Sequence, residues 1–92
     1  MSAALFESGL MVITANAQDQ LHPADIPRCL ARHLTGDWGE LCDEDRQENQ
    51  RALAQGSRLF SVYHDRNQRK FYVITEGHAE SRVTTVLLPE DY

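Results

Sequence analysis

Leu59-Phe60-Ser61-Val62-Tyr63-His64, Asp65-Arg66-Asn67-Gln68-Arg69, then Lys70-Phe71-Tyr72-Val73-Ile74-Thr75-Glu76: this stretch decides the fold. Both flanks are rich in aromatic and β-branched residues and alternate with period two, the signature of strands. The five polar residues between them read as a hairpin loop. Gly77–Ser81 reads as a second turn and Arg82–Leu88 as a third strand, which Pro89 ends. Glu90-Asp91-Tyr92 remains as a tail. The second half of the chain is therefore an antiparallel meander.

Working back, the period changes. Asp43–Gln55 reads as a helix with acids crowding its first turn, as the helix dipole favours, and Gly56 stops it. Its apolar face is only Ala52 and Leu53, with Asn49 one turn earlier. His22–Leu34 reads as a second helix, with Ile26, Cys29, Leu30 and Leu34 on one stripe. Asp25 is the expected N-cap, Pro27 falls in the first turn and Gly36 lies just past the end. Polar Ala15–Leu21 reads as a loop. Leu10–Thr14, short and β-branched, reads as a strand, with Ala4–Phe6 leading in. The expectation is one α+β domain over residues 1–92, ordered β-α-α-β-β-β, with two helices on a small sheet. The partner of the first strand is not fixed by sequence.

Composition narrows the function classes. Of 92 residues, 41% are hydrophobic and 25% charged, ordinary for a globular chain. The net charge is −5, and it resides in the first part: residues 1–56 hold four arginines against nine acids, while residues 57–92 balance five against five. General nucleic-acid binding is disfavoured, because phosphate contacts need a basic patch. No apolar run exceeds four residues, as at Leu10–Ile13, far short of a membrane span. The opening residues carry no basic segment followed by an apolar one, so a cytoplasmic protein with reduced Cys29 and Cys42 is expected.

Four groups of residues bear on chemistry. In Thr35-Gly36-Asp37-Trp38-Gly39, two glycines bracket an Asp and the only Trp. Trp38 either closes over the core or anchors a partner, as interface tryptophans do. The run Asp37, Glu40, Asp43, Glu44, Asp45 and Glu48, with Arg46 as its one base, is either a solvated helix start or an anionic surface for a basic protein partner. Cys29 and His33 share a helix face near His22 and Cys42, but no paired-ligand spacing supports zinc, so no metal or cofactor is assigned. His64, Arg66, Arg69 and Lys70, with Tyr63 and Tyr72, gather near the hairpin. His64, Arg69, Lys70 and Tyr72 are the types a small ribonuclease uses: an acid or base plus cations for the phosphate. No phosphate loop, nucleophile elbow or metalloprotease motif is present.

Arg32-His33, Gly36-Asp37-Trp38-Gly39, Glu44-Asp45-Arg46, Asn49, Ala52-Leu53, Ser61-x-Tyr63, Ile74-Thr75-Glu76 and the ending from Thr84 to Tyr92 resemble a family of small bacterial proteins. That family is carried on plasmids, prophages and integrated elements and is usually labelled plasmid-related. The resemblance spans residues 30–92, and Thr84-Thr85-Val86-Leu87-Leu88-Pro89-Glu90-Asp91-Tyr92 is its most specific part. Gly77-His78-Ala79-Glu80 departs from it, lacking a compact basic turn. The resemblance implies a mobile-element setting and supplies no activity. The expected function is a non-enzymatic accessory protein that binds a host protein, as an anti-CRISPR-like inhibitor of a defence or nucleic-acid-processing complex does. The alternative is a ribonuclease of the barnase, colicin or toxin type that uses the hairpin cluster.

Overall fold

The computed structural model describes residues 4–92. The chain runs β1 (Leu10–Ile13), α1 (Ala15–Gln20), α2 (Asp25–Leu34), α3 (Asp43–Gln55), β2 (Leu59–His64), β3 (Lys70–Glu76) and β4 (Val83–Leu87). Short 3-10 turns occupy Ala79–Ser81 and Pro89–Asp91. This is an α+β architecture. The strands and helices read from periodicity in the second half, α3, β2 and β3, start and stop where expected.

The four strands make one mixed sheet in the order β1-β4-β3-β2. β2, β3 and β4 form the antiparallel meander, and β1 adds to β4 in parallel, Leu10 opposite Val83 and Ile13 opposite Val86. The side chains alternate between two faces. Ser61, Tyr63, Phe71, Val73 and Val86 face α2 and pack with Ala17, Leu21 and Cys29, helped by Ile13, Ile26 and Leu30. Phe60, Val62, Tyr72, Ile74 and Leu87 lie on the opposite face. A second cluster joins Trp38, Leu41, Ala52, Leu59 and Val62, with Phe6, Leu53, Phe60 and Tyr72 around it.

Two sequence expectations are corrected. Ala15–Leu21 is not a loop, because α1 fills most of it. The Thr14 hydroxyl accepts the Ala17 N–H at 3.1 Å and caps the helix. Six residues make fewer than two turns, too short for an apolar period to show. Asp25 is not the N-cap of α2. It is the first helical residue, Ala24 precedes it without a side-chain cap bond, and the carboxylate is turned elsewhere.

The outer edge of β2 is closed by polar backbone pairing. The Asn49 amide donates to the Phe60 carbonyl at 2.7 Å and accepts the Phe60 N–H at 3.2 Å. Two residues on, the Val62 N–H donates to the Trp38 carbonyl and the Glu40 N–H donates to the Val62 carbonyl. Gly39 sits at φ +73°, and a Cβ there would lie 2.0 Å from the Val62 oxygen, so only glycine allows this approach.

Trp38 is 2% exposed. Its ring stacks near Phe6 and meets the His33 ring edge-on at 5.6 Å. Its place is the core reading rather than the anchor reading. Trp38→Ala should lower unfolding free energy by about 3–5 kcal/mol, read from urea midpoints. Trp38→Phe should lose much less, since it keeps most of the packing and removes an indole N–H that finds no hydrogen-bond partner among the described residues.

Candidate functional site

The acidic run is placed by the loop after α2 and by the first turns of α3. Asp43, Glu44 and Asp45 occupy the first turn of that helix and are exposed. The one base among them does not neutralise them. Arg46 folds back, its Nε donating to the Leu41 carbonyl and its terminal nitrogen to the Gly39 carbonyl, each at 2.9 Å. Glu48 pairs with Arg51 at 2.6 Å on the helix surface. Asp37 is bound by Arg32 through two bonds of 2.8 and 3.2 Å and accepts the Gly39 N–H. The Arg32 guanidinium holds the Asp37 carboxyl below the usual carboxylate range. Glu40 is paired with His64.

Of the six expected partner residues, Asp43, Glu44 and Glu48 are exposed on the first turns of α3, and Asp37 and Glu40 lie at the surface with internal partners. Trp38 leaves the set, since a buried indole has no surface to offer.

Asp45 and Glu48 also form one rim of a cavity of about 370 Å³ on the sheet face away from α2. Phe60, Tyr72 and Tyr92 supply its apolar wall, with centroids of 4.9 Å for Phe60–Tyr72 and 5.9 Å for Tyr72–Tyr92. The Arg58 guanidinium lies 5.2 Å from the Tyr92 centroid and 5.7 Å from that of Phe60. A neighbouring cavity of about 350 Å³ continues past Arg58 and Tyr92 over Ile74, Thr85 and Leu87. Sequence reasoning missed Arg58, Phe60 and Tyr92 here. The period-two alternation already put Phe60 and Tyr72 on one face. The return of Tyr92 to that face had no sequence signal.

The hairpin cluster is split by the sheet. The Tyr63 hydroxyl points to the α2 side, donates to the Asp37 carbonyl at 2.5 Å and is pushed up in pKa by burial. Arg66 is committed to Asp25, which accepts its backbone N–H at 2.8 Å and two guanidinium bonds at 3.0 and 3.1 Å. Arg28 adds a bond to the same carboxylate at 2.5 Å. Arg69 lies 3.8 Å from Glu90. His64 and Lys70 are opposite each other in the ladder, and Lys70 stands 5.8 Å from the Tyr72 ring. Three of the four ribonuclease candidates thus share a face, and Arg69 is engaged with an acid.

Cys29 and His33 do share a face of α2, yet both ring nitrogens of His33 are spent. Nδ1 lies 2.6 Å from the Ser61 hydroxyl and Nε2 lies 2.9 Å from the Thr75 hydroxyl. Thr75 meets Thr84 at 2.7 Å, and Thr84 donates to the Ser8 carbonyl at 2.8 Å. That carbonyl can only accept, which sets the chain's direction. Thr75 donates to Thr84, and the His33 Nε2–H donates to Thr75. Burial keeps the ring neutral, so Nδ1 bears no hydrogen and accepts from the Ser61 hydroxyl. All four side chains are buried, so this Ser–His pair is closed to substrate. Cys29 and Cys42 are free thiols, the first buried and the second exposed. No group of three His, Cys, Asp or Glu side chains among the described residues is arranged to hold a metal. No helix among them is long and apolar enough to cross a membrane.

Comparison with protein-family models, curated proteins and solved structures finds no match for this chain.

Burial lowers the His33 pKa from 6.5 to about 4. Between these values the unfolded chain binds a proton that the folded protein refuses, so stability falls as pH drops through that window. The loss should reach the order of 3 kcal/mol by about pH 4. Asp25, held well below the usual carboxylate range by Arg66, adds acid lability below the ordinary Asp pKa. Urea melts from pH 7.5 to 4.5 test the first effect. The wild-type midpoint should decline steeply below pH 6.5, and His33→Gln, less stable at neutral pH, should show a much flatter profile.

Proposed function

We propose that this protein is a non-enzymatic accessory factor of a bacterial mobile element and acts by binding a basic host protein through the exposed face of α3. The observation that carries this reading is the junction of the Asp45 and Glu48 carboxylates with the Phe60–Tyr72–Tyr92 cleft, with Asp43 and Glu44 exposed on the same first turns of α3. Carboxylates draw a cationic partner in, and aromatic walls give its side chains a surface to bury against. Arg46 and Arg32 are tied into the Trp38 loop, Arg51 pairs with Glu48 and Arg58 stands in the cleft, which leaves Asp43, Glu44 and Asp45 without an ion pair among the described residues. An inhibitor of a nucleic-acid-processing or defence complex, the anti-CRISPR-like class, fits this chemistry, because such machines carry basic grooves for phosphate. The sequence resemblance to plasmid-related proteins supports the mobile-element setting.

A second reading, a small ribonuclease, draws on the Glu40–His64 pair beside Lys70, which provides an acid–base couple and a cation on one face. RNA cleavage by purified protein that is lost in His64→Ala would favour it over the binding reading.

The deciding experiment is capture of partners from a bacterial host lysate, followed by binding measurements with charge-reversed protein. Glu44→Lys with Glu48→Lys should leave the melting temperature within a few degrees of wild type. Exposed pairs contribute little, and losing dipole complementarity costs up to about 1 kcal/mol per site. Association with the captured partner should fall at least tenfold at low salt and less at high salt. Undiminished binding at low salt would remove α3 from the interface.

A further inference from the structure

The two edges of the sheet are treated differently. The β2 edge is closed by Asn49 and by the Trp38–Glu40 backbone. The β1 edge is closed by nothing among the described residues. Its inner side is fully used: the Leu10 N–H donates to Arg82 and the Thr14 N–H to Val86, each at 3.0 Å. In a parallel ladder these alternate residues face the neighbour, so Met11 and Ile13 turn their N–H and C=O groups outward. Leu10, Met11 and Val12 are 66%, 51% and 38% exposed. Natural edges are normally blunted by charge, proline, a bulge or a cover, because an apolar open edge is a template for another strand. Leu10–Ile13 has neither charge nor proline.

We propose that this edge pairs with the same edge of a second copy, antiparallel about a two-fold axis through Val12. Met11 then faces Ile13 of the partner subunit in a hydrogen-bonded pair, and Val12 faces the partner's Val12 in a non-hydrogen-bonded pair. This register uses every outward N–H and C=O of Met11 and Ile13, four interchain bonds in all, and it is self-complementary as a two-fold interface must be. The self-complementary register points to a copy of this chain as the occupant, and charge permits it. Ser8–Gln18 is the longest run without Asp, Glu, Lys or Arg. Two chains of net charge −5 can approach there without opposing like charges. The product is one eight-stranded sheet, with the acidic α3 faces at its two far ends and both left free. The inference is independent of the partner reading, since it concerns the other edge.

Sedimentation equilibrium between about 10 and 500 µM tests it, the range where a short strand interface of modest area is expected to associate. The expected result is a rise from the 10.5 kDa chain mass toward twice that value. Met11→Pro removes an outward N–H that the intrachain ladder does not use, and Val12→Lys places like charges on the axis. Both should remain monomeric with an unchanged far-ultraviolet circular dichroism spectrum. A third variant guards against misfolding in these two. Directly opposed non-hydrogen-bonded residues have Cα atoms about 4.5 Å apart, within disulfide range. Val12→Cys, made with Cys42→Ser, should therefore form a covalent dimer under mild oxidation by dithiodipyridine. A monomeric mass throughout the range, a dimer insensitive to both edge substitutions, or the absence of the Val12→Cys cross-link would overturn the proposal.

Discussion

The neutral His33 ring is the interaction on which the rest of the structure depends. It leaves α2, crosses onto the sheet and bridges Ser61 on β2 to Thr75 on β3. Through Thr84 on β4 the same chain of bonds reaches the Ser8 carbonyl at the entrance to β1. One histidine thus fixes a helix, three strands and the N-terminal lead in a single registration. A buried polar chain of this kind is costly when incomplete and specific when complete. Here it is complete, and its direction is dictated by an acceptor at one end. The ring's apolar neighbours, Phe6 and Trp38, both meet it edge-on and keep water from it. The need for a neutral ring makes the core sensitive to acid, and it also explains why a residue that resembles a metal ligand in sequence serves as a fastener.

Once α2 is fixed to the sheet, the Trp38 loop has little freedom. Asp37 is held by Arg32 from the end of α2 and receives the Tyr63 hydroxyl on its carbonyl. Trp38 drops into the second apolar cluster, and Gly39 brings the backbone against Val62. The loop thereby forms a single parallel bridge to β2 at Val62, and the Asn49 side chain pairs with the same edge at Phe60. The poor apolar stripe of α3 is a consequence. That helix contributes hydrogen bonds to an edge as well as Ala52 and Leu53 to a core, so two apolar residues suffice.

Where the sequence was legible, the reason is periodicity. β2, β3 and α3 are long enough for their period to exceed noise, and their ends carry turn or capping residues such as Gly56, which adopts φ +71° as a helix stop. The parallel docking of β1 was not legible, because a four-residue apolar strand pairs equally well with several neighbours in the absence of tertiary context. Asp25 was misread because Asp ahead of a helical stripe has two uses, and the choice depended on Arg66, which is 41 residues away. The acidic half of the candidate site was visible as composition. Its aromatic half was not, because Phe60, Tyr72 and Tyr92 meet only after the chain end folds back over the meander.

The placement of the cations leaves the start of α3 strongly negative. Of the arginines near the acidic run, Arg46 binds two carbonyls and Arg32 binds Asp37, while Arg51 pairs with Glu48 at the helix surface and Arg58 lines the cleft beside Asp45 and Glu48. Scattered among the acids of α3, the same charges would have supported the helix by ordinary ion pairs. Placed as they are, only Arg51 meets one of those acids, and Asp43, Glu44 and Asp45 crowd together at the helix start. The helix dipole offsets part of that repulsion. The rest is a cost that a docked cation would relieve, which is the physical basis of the proposal that the partner is basic.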